Sequence, residues 1–112
     1  MKVSKPSEEL RTMFRTEWFR AKKILKPALD GVKMPRLFQS EKTGTNLGYH
    51  LGSPRQLSGK LGGHWYKGQH LITVRVPYEH PQVLQTIRHE ICHVVQQNHS
   101  PKFKALLSEL MR

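Results

Sequence analysis

The chain is poor in cysteine, in acidic residues and in long apolar runs. Its single cysteine, Cys92, excludes an internal disulfide, which suits a reducing compartment. No apolar run approaches the roughly 20 residues that a membrane-spanning helix needs, and no apolar signal-peptide core follows the basic N-terminus. We therefore expect a protein of the cytoplasm, or of the host cytoplasm if its source is viral, with no membrane partner.

The length of the chain, 112 residues, suits one domain over residues 1–112. A chain of this size can bury about two thirds of the surface that it exposes when unfolded. It contains no internal repeat, no low-complexity tract and neither of the glycine-rich phosphate-binding motifs, GxGxxG and the P-loop. We expect a single compact unit that acts as a monomer.

The shortage of acidic residues leaves a large positive charge. There are 19 Lys and Arg against 8 Asp and Glu, which gives a formal charge of +11. Such an excess attracts polyanions, and it predicts DNA or another nucleic acid as a partner through backbone contacts, because no base-reading motif is present. A basic, merely solvated surface is the alternative. The candidate phosphate contacts lie on the predicted first helix: Arg11, Arg15, Arg20, Lys22 and Lys23.

Residues 89–99, His-Glu-Ile-Cys-His-Val-Val-Gln-Gln-Asn-His, carry the strongest motif. On a helix, His89 and His93 are one turn apart and project from nearly the same face, so both imidazoles can reach one metal ion. Glu90 is displaced from His89 by roughly 100° of rotation and can address a metal-bound water instead. This pattern is typical of zinc-assisted hydrolysis, with one Zn²⁺ ion.

The third histidine cannot share that metal if the helix continues. His99 would then lie roughly 9 Å further along the axis and about 120° away from the direction of His93. The chain must therefore leave the helix between Val95 and His99 and turn back. Asn98 tolerates a left-handed helix end, and Ser100-Pro101 is a typical cap and first position of a new helix, so the sequence permits this turn.

The rest of the pattern predicts an α+β fold with a small antiparallel sheet of three to four strands. An N-terminal helix is expected from a Ser7 cap to about Lys26, and the HExxH helix follows His80-Pro81, with a short C-terminal helix after it. The apolar stripe of the HExxH helix faces the core. The predicted strands, of which the last two would form a hairpin across Lys67-Gly68, are Arg36–Ser40, Asn46–Leu51, Leu61–Tyr66 and His70–Val76.

Residues 86–93 (Thr-Ile-Arg-His-Glu-Ile-Cys-His) and 98–107 (Asn-His-Ser-Pro-Lys-Phe-Lys-Ala-Leu-Leu) resemble the SprT-like and related YgjP-like (WLM-type) zinc metallopeptidases. The resemblance covers about the last third of the chain. It implies a minimal zincin-like fold, His89, His93 and His99 as zinc ligands, Glu90 as general base, and substrates that are bound or cross-linked to DNA. Two features depart from the family: Ser100 stands where many relatives have glycine, and no cysteine-rich zinc ribbon follows, so we expect a minimal catalytic core.

The function predicted from the motif and the resemblance is that of a zinc metalloendopeptidase acting on protein or peptide substrates associated with nucleic acid. Glu90 would take a proton from a zinc-bound water as it attacks the carbonyl, then pass it to the leaving amine. One alternative is a zinc-dependent nuclease, since the YbeY-type endoribonucleases share the H-x3-H-x5-H spacing but lack the glutamate. The other is a non-catalytic nucleic-acid-binding module stapled by zinc, with Cys92 or another histidine as a fourth ligand.

Other histidines lie outside this motif. A second metal site built from them lacks regular ligand spacing, so ordinary histidines are the favoured interpretation. They are His50, His64, His70 and His80. His64 or Tyr66 is a candidate for stabilising an oxyanion near the zinc.

Overall fold

The computed structural model describes residues 3–40, 48–51, 60–61, 64–65, 70–96 and 98–112, with side chains over 5–40, 70–96 and 98–112. These residues contain three helices and six strands. The helices are α1 (Glu8–Ile24), α2 (Val83–Val95) and α3 (Pro101–Leu110). The strands are β1 (Val3–Ser4), β2 (Arg36–Ser40), β3 (Gly48–Leu51), β4 (Lys60–Leu61), β5 (His64–Trp65) and β6 (Leu71–Val74).

The first helix begins where its capping residue predicts. The Ser7 side chain accepts a hydrogen bond from the backbone N–H of Leu10 at 3.2 Å, which satisfies one of the free donors of the first turn. Acidic residues occupy the first turn and basic residues the last, so both complement the helix dipole. The predicted helix from Ser7 is confirmed, and it ends two residues before the expected Lys26.

The second and third helices also lie where the sequence predicts them. The apolar stripe of α2 is buried, and its buried residues include Ile87 and Ile91. At the start of α3, the Ser100 side chain accepts a hydrogen bond from the backbone N–H of Phe103 at 3.3 Å, and Pro101 occupies the first turn. Capping residues and periodicity therefore predict α1 and α3, and periodicity alone predicts α2, whose N-cap residue makes no side-chain capping hydrogen bond.

The main sheet has the strand order β1-β2-β6-β3. Its central pair, β2 and β6, is parallel, with Cα partners from Arg36 and Leu71 to Gln39 and Val74. The outer strands β1 and β3 pair antiparallel with β2 and β6, respectively. A separate antiparallel pair joins β4 and β5, which have two residues each.

The predicted fold, with its antiparallel sheet of three to four strands, is therefore wrong. The prediction joined neighbouring strands by hairpins, but β6 pairs with β2 and β3, whereas β5 pairs with β4. The physical reason lies in β6, whose residues Leu71 to Val74 are all buried. A strand buried on both faces is typical of a central, parallel position in a sheet. The alternation in the sequence instead predicts a strand that is buried on one face only. Over its described residues, the predicted strand Leu61–Tyr66 is divided between the last residue of β4 and the two residues of β5.

The core is formed by one face of α1, the apolar stripe of α2, strand β6 and the buried side of α3. Helix α2 contacts α1, α3, β3 and β6, so it lies between the other helices and the sheet. The largest fully buried side chains include Trp18, Leu29, Ile72 and Phe103. Among the described residues, no helix has both the length and the apolar character needed to cross a bilayer.

A buried carboxylate ties the three helices together. Glu17 of α1 is 8% exposed, and it accepts a hydrogen bond at 2.7 Å from Nε of Arg88, which lies directly before the first motif histidine. Arg20 approaches the same carboxylate at 3.5 Å and donates to the carbonyls of Leu110 and Arg112 at 2.6 and 2.7 Å. These contacts hold α1 against both α2 and the end of α3.

Replacing Glu17 by Ala should lower the free energy of unfolding by about 3 kcal/mol, because it leaves the largely buried Arg88 guanidinium without its partner. Urea unfolding measures this change. The control is Glu109→Ala, which removes an exposed pair with Arg112, and it should change stability by no more than about 0.5 kcal/mol. Equal effects of the two substitutions would contradict a structural role for the Glu17 pair.

Candidate metal centre

Two ring nitrogens of α2 meet at one point. Because His89 and His93 are one turn apart, their side chains leave the helix on the same side. Their Nε2 atoms lie 3.1 Å apart, and the ring planes cross at 74°. Both imidazoles therefore direct the same kind of donor atom to a shared position at the surface of the helix.

The third histidine reaches the same position because α2 ends at Val95. Gln96, the residue after it, is extended, with φ −139° and ψ 112°, and His99 lies beside the helix again. The Nε2 atom of His99 lies 3.2 Å from that of His89. The expectation that the chain leaves the helix between Val95 and His99 is confirmed.

The spacing of these nitrogens fits a tetrahedral metal ion. Candidate ligand atoms of His89, His93 and His99 all lie within 4.8 Å of one another. Zinc binds imidazole nitrogen at about 2.0–2.1 Å, so two ligands at neighbouring corners of a tetrahedron are about 3.3 Å apart. The distances from His89 Nε2 to the other two, 3.1 and 3.2 Å, agree with that edge.

A hydrogen bond orients one of the rings. His93 Nδ1 lies 3.2 Å from the carbonyl oxygen of Gln96, the first residue after α2. A carbonyl can only accept, so Nδ1 carries the hydrogen and Nε2 is left with its lone pair. Such a partner on the second ring nitrogen is the usual support of a metal-binding histidine. The end of the helix therefore selects the tautomer that the site needs.

The surroundings of His89 favour its neutral form when no cation is bound. Burial, and then the neighbouring His93 and His99 rings, lower the pKa of His89 from 6.5 to about 4. Neutral imidazole is the form that binds a metal. Three ring nitrogens that face one another cannot all find a hydrogen-bond partner among themselves. One cation would accept the lone pairs of all three.

Phe103 supports all three rings from behind. It is buried, and its ring centroid lies 5.1, 4.7 and 5.0 Å from those of His89, His93 and His99, respectively. It belongs to the first turn of α3, so the same Ser100 cap that starts the helix also places this ring. Phe103 belongs to the segment on which the family resemblance rests, but no contact with the histidine rings was predicted for it.

Glu90 lies between the ligand face of α2 and the core. It is 4% exposed, and burial raises its pKa from 4.5 to about 8. None of the described side chains forms a hydrogen bond or an ion pair with its carboxyl group. Next to it, burial and the Glu90 charge raise the pKa of Cys92 to about 12, so that thiol stays protonated. Cys92 is buried and lies outside the histidine cluster, which suits a core side chain.

The remaining candidates fall elsewhere. His80 accepts a hydrogen bond from the backbone N–H of Gln82 through Nδ1, and burial lowers the pKa of His70. Within the part of the chain whose side chains are described, the cluster of His89, His93 and His99 is the one group suited to a metal. The side chains of His50 and His64, and all of Tyr66, lie outside the described residues.

The candidate phosphate contacts separate into three places along α1. Arg11 and Arg15 line a surface groove with residues of β2. Arg20 is engaged with Glu17 and the end of α3, and Lys22 and Lys23 lie in the last turn. Sequence periodicity predicts that all five residues lie on one helix. It does not predict their different surroundings, because these depend on which residues pack beside each turn.

Comparisons of this chain with protein-family models, with curated proteins and with solved structures find no match. The metal centre is therefore supported by the geometry of the described residues alone: three converging ring nitrogens, one oriented by a carbonyl and all backed by Phe103.

Replacing His99 by Ala should raise the dissociation constant for zinc by about 100-fold or more, since a ligand is lost outright. Competition with a chromophoric chelator measures the affinity, and metal analysis gives the stoichiometry. Lys102→Ala changes an exposed residue close to His99 in sequence and should leave zinc affinity within about threefold, because it removes no ligand. Unchanged affinity in the His99 variant would show that this ring is not a ligand.

The metal-free protein should lose stability as the pH rises from 6.5 to 8. Glu90 keeps its proton in the folded state up to about pH 8 but loses it near 4.5 when unfolded, so its contribution falls as the pH rises through this window. His89 acts in the opposite sense, but only below 6.5, where the unfolded state takes up the proton. Between pH 6.5 and 8 the loss should be about 1.5 kcal/mol.

Urea unfolding in the presence of a chelator, at several pH values, measures this dependence. Glu90→Gln serves as the comparison, because its side chain does not titrate and its stability should stay level over the same window. Parallel pH profiles for the two proteins would contradict the raised pKa of Glu90.

Proposed function

We propose that this chain is a zinc-dependent metallopeptidase of the kind that its resemblance to the SprT-like and YgjP-like enzymes implies. The observation that carries the proposal is the convergence of three Nε2 atoms on one position, with the buried Glu90 carboxyl on the same helix. Three histidines leave one corner of a tetrahedron for solvent or substrate, which is the pattern of catalytic rather than structural zinc.

Each residue has a distinct part in this proposal. His89, His93 and His99 hold the ion, and when bound it would polarise a carbonyl and activate a water molecule. A bound cation would favour the ionised form of Glu90, whose pKa is raised to about 8 by burial when no cation is present. The carboxylate would then take a proton from the attacking water and return it to the leaving amine. The carbonyl of Gln96 keeps His93 in its ligand tautomer. Burial around Glu90 limits competition from bulk water.

The sheet offers a place for an extended peptide. Strand β3 is an outer strand of the main sheet and contacts α2. Over the described residues its one partner is β6, so the backbone groups of its other edge face away from the sheet. A substrate strand added there would gain main-chain hydrogen bonds and would run beside the metal helix.

We also propose that the substrates are proteins associated with DNA or another nucleic acid, and that the protein works in the cytoplasm as a monomer. The formal charge of +11 supports the first point, because it draws polyanions and whatever they carry. The single, buried and unpaired cysteine supports a reducing compartment.

Two alternatives make different demands on the site. A nuclease of the YbeY type needs no glutamate after the first histidine, so the presence of Glu90 favours peptide hydrolysis. A purely structural zinc site needs a fourth protein ligand. The described side chains provide three, and the thiol of Cys92 lies outside the group.

Glu90→Gln should keep zinc bound and lower peptide hydrolysis by about 10²–10⁴-fold, because the amide cannot accept the proton. A casein-like protein and single-stranded RNA, assayed in parallel with zinc, identify the bond that is cut. The matched control is Glu79→Gln, the same chemical change at an exposed position, and it should retain full activity.

Three results would overturn this proposal. Full peptide hydrolysis by the Glu90 variant would show that another group is the base. RNA cleavage without peptide cleavage would assign the site to the nuclease class. Tight zinc binding with neither activity in the wild type would leave a structural zinc site.

A further inference from the structure

A second site lies on the surface between α1 and β2. A groove of about 370 Å³ runs along the N-terminal half of α1, the segment before it and the start of β2. Its charged lining is entirely cationic: Lys5, Arg11, Arg15 and Arg36. It shares no residue with the metal centre, and the proposed peptidase activity does not account for it.

The cationic lining is unusual in its arrangement. Arg11 and Arg15 are exposed and one helical turn apart, a spacing at which like charges destabilise a helix. Among the described residues, neither forms an ion pair, although Arg20 and Arg88 elsewhere in the molecule do. No carboxylate lines the groove. Two neighbouring positive charges, Arg11 and Arg15, without an ion-pair partner among the described residues favour an anionic ligand.

The floor of the groove has a different character. It is formed by apolar side chains that belong to α1, β2 and the residues before β2, among them Phe14, Leu37 and Phe38. Phe14 and Phe38 are buried and form the base of this layer, whereas Met34 and Leu37 are half-buried and present the apolar surface that a ligand can contact. A simple phosphate or sulfate would contact the rim but leave this floor uncovered.

We propose that this groove binds a nucleotide unit, with its phosphate at Arg11 and Arg15 and its base against the apolar floor. A cavity of 370 Å³ is within the range of roughly 300–1,000 Å³ that small-molecule sites occupy. Cationic side chains beside an apolar surface are the combination with which proteins bind single-stranded nucleic acid. A duplex keeps its bases stacked, so the unit belongs to a single strand or to a free nucleotide.

The test compares two double variants with the same change in charge on the same helix. Arg11→Ala/Arg15→Ala removes two cations from the groove, and Lys22→Ala/Lys23→Ala removes two from the last turn of α1. Fluorescence anisotropy of a labelled oligothymidylate, with full-length protein, gives the dissociation constant over a range of salt concentrations. Far-UV circular dichroism establishes that both variants are folded.

The groove variant should bind at least about tenfold more weakly, and the slope of log K against log salt should fall by about 0.7, which corresponds to the loss of the one phosphate that both arginines contact on a single strand. The lysine variant should change the dissociation constant by no more than about threefold, because it removes charge from the general field and not from the site. Equal losses in both variants would overturn the proposal.

Competing ligands test the base and separate the two sources. An abasic strand of the same length should bind more weakly than oligothymidylate, and equal binding would overturn the assignment of the apolar floor to a base. Competition by thymidine monophosphate at concentrations that match the oligonucleotide assigns the groove to free nucleotides, whereas competition by strands alone assigns it to nucleic acid. Peptide hydrolysis without nucleic acid is measured separately, so the two proposals can fail independently.

Discussion

The geometry of the candidate metal centre depends on the point at which α2 ends. Two histidines on one helix can meet a metal, but the third lies at a spacing that a continuous helix cannot accommodate. The extended Gln96 stops the helix, and its carbonyl then orients His93. A few residues later, the Ser100 cap starts α3 and places Phe103 behind the three rings. The helix break is therefore part of the site: a longer α2 would lose the third ring, the ordered tautomer and the aromatic support together.

The two buried carboxylates of the core illustrate the difference between a structural and a chemical role. Glu17 lies between Arg88 and Arg20, so its charge is compensated and it holds α2 and α3 in place. Glu90, on the adjacent helix, is also buried but has no such partner among the described residues. Burial without a counterion raises the pKa of a carboxyl group and reduces the stability of the fold. That cost is typical of residues kept for their chemistry, and it supports the role proposed for Glu90.

Features that depend on local sequence could be predicted, and those that depend on distant pairing could not. The caps at Ser7 and Ser100, the stripe of Ile87 and Ile91, and the break before His99 all act within one or two helical turns. The position of β6 depends on β2 and β3, which are far away in sequence, and its four buried residues do not identify their partners. The support of Phe103 and the groove at Arg11 were inaccessible for the same reason, since each arises where separate elements pack together.

Helix α1 connects the two sites. Its N-terminal half carries Arg11 and Arg15, and its C-terminal half carries the Glu17 and Arg20 contacts that fix the metal helix and α3. A strand held in the groove would thus be attached to the same rigid element as the proposed hydrolytic site. Tethering of this kind raises the effective concentration of anything else bound along that strand, up to the millimolar range for short separations. Selectivity for proteins on nucleic acid would then need no elaborate peptide pocket, because binding of the strand would itself bring such proteins to the site.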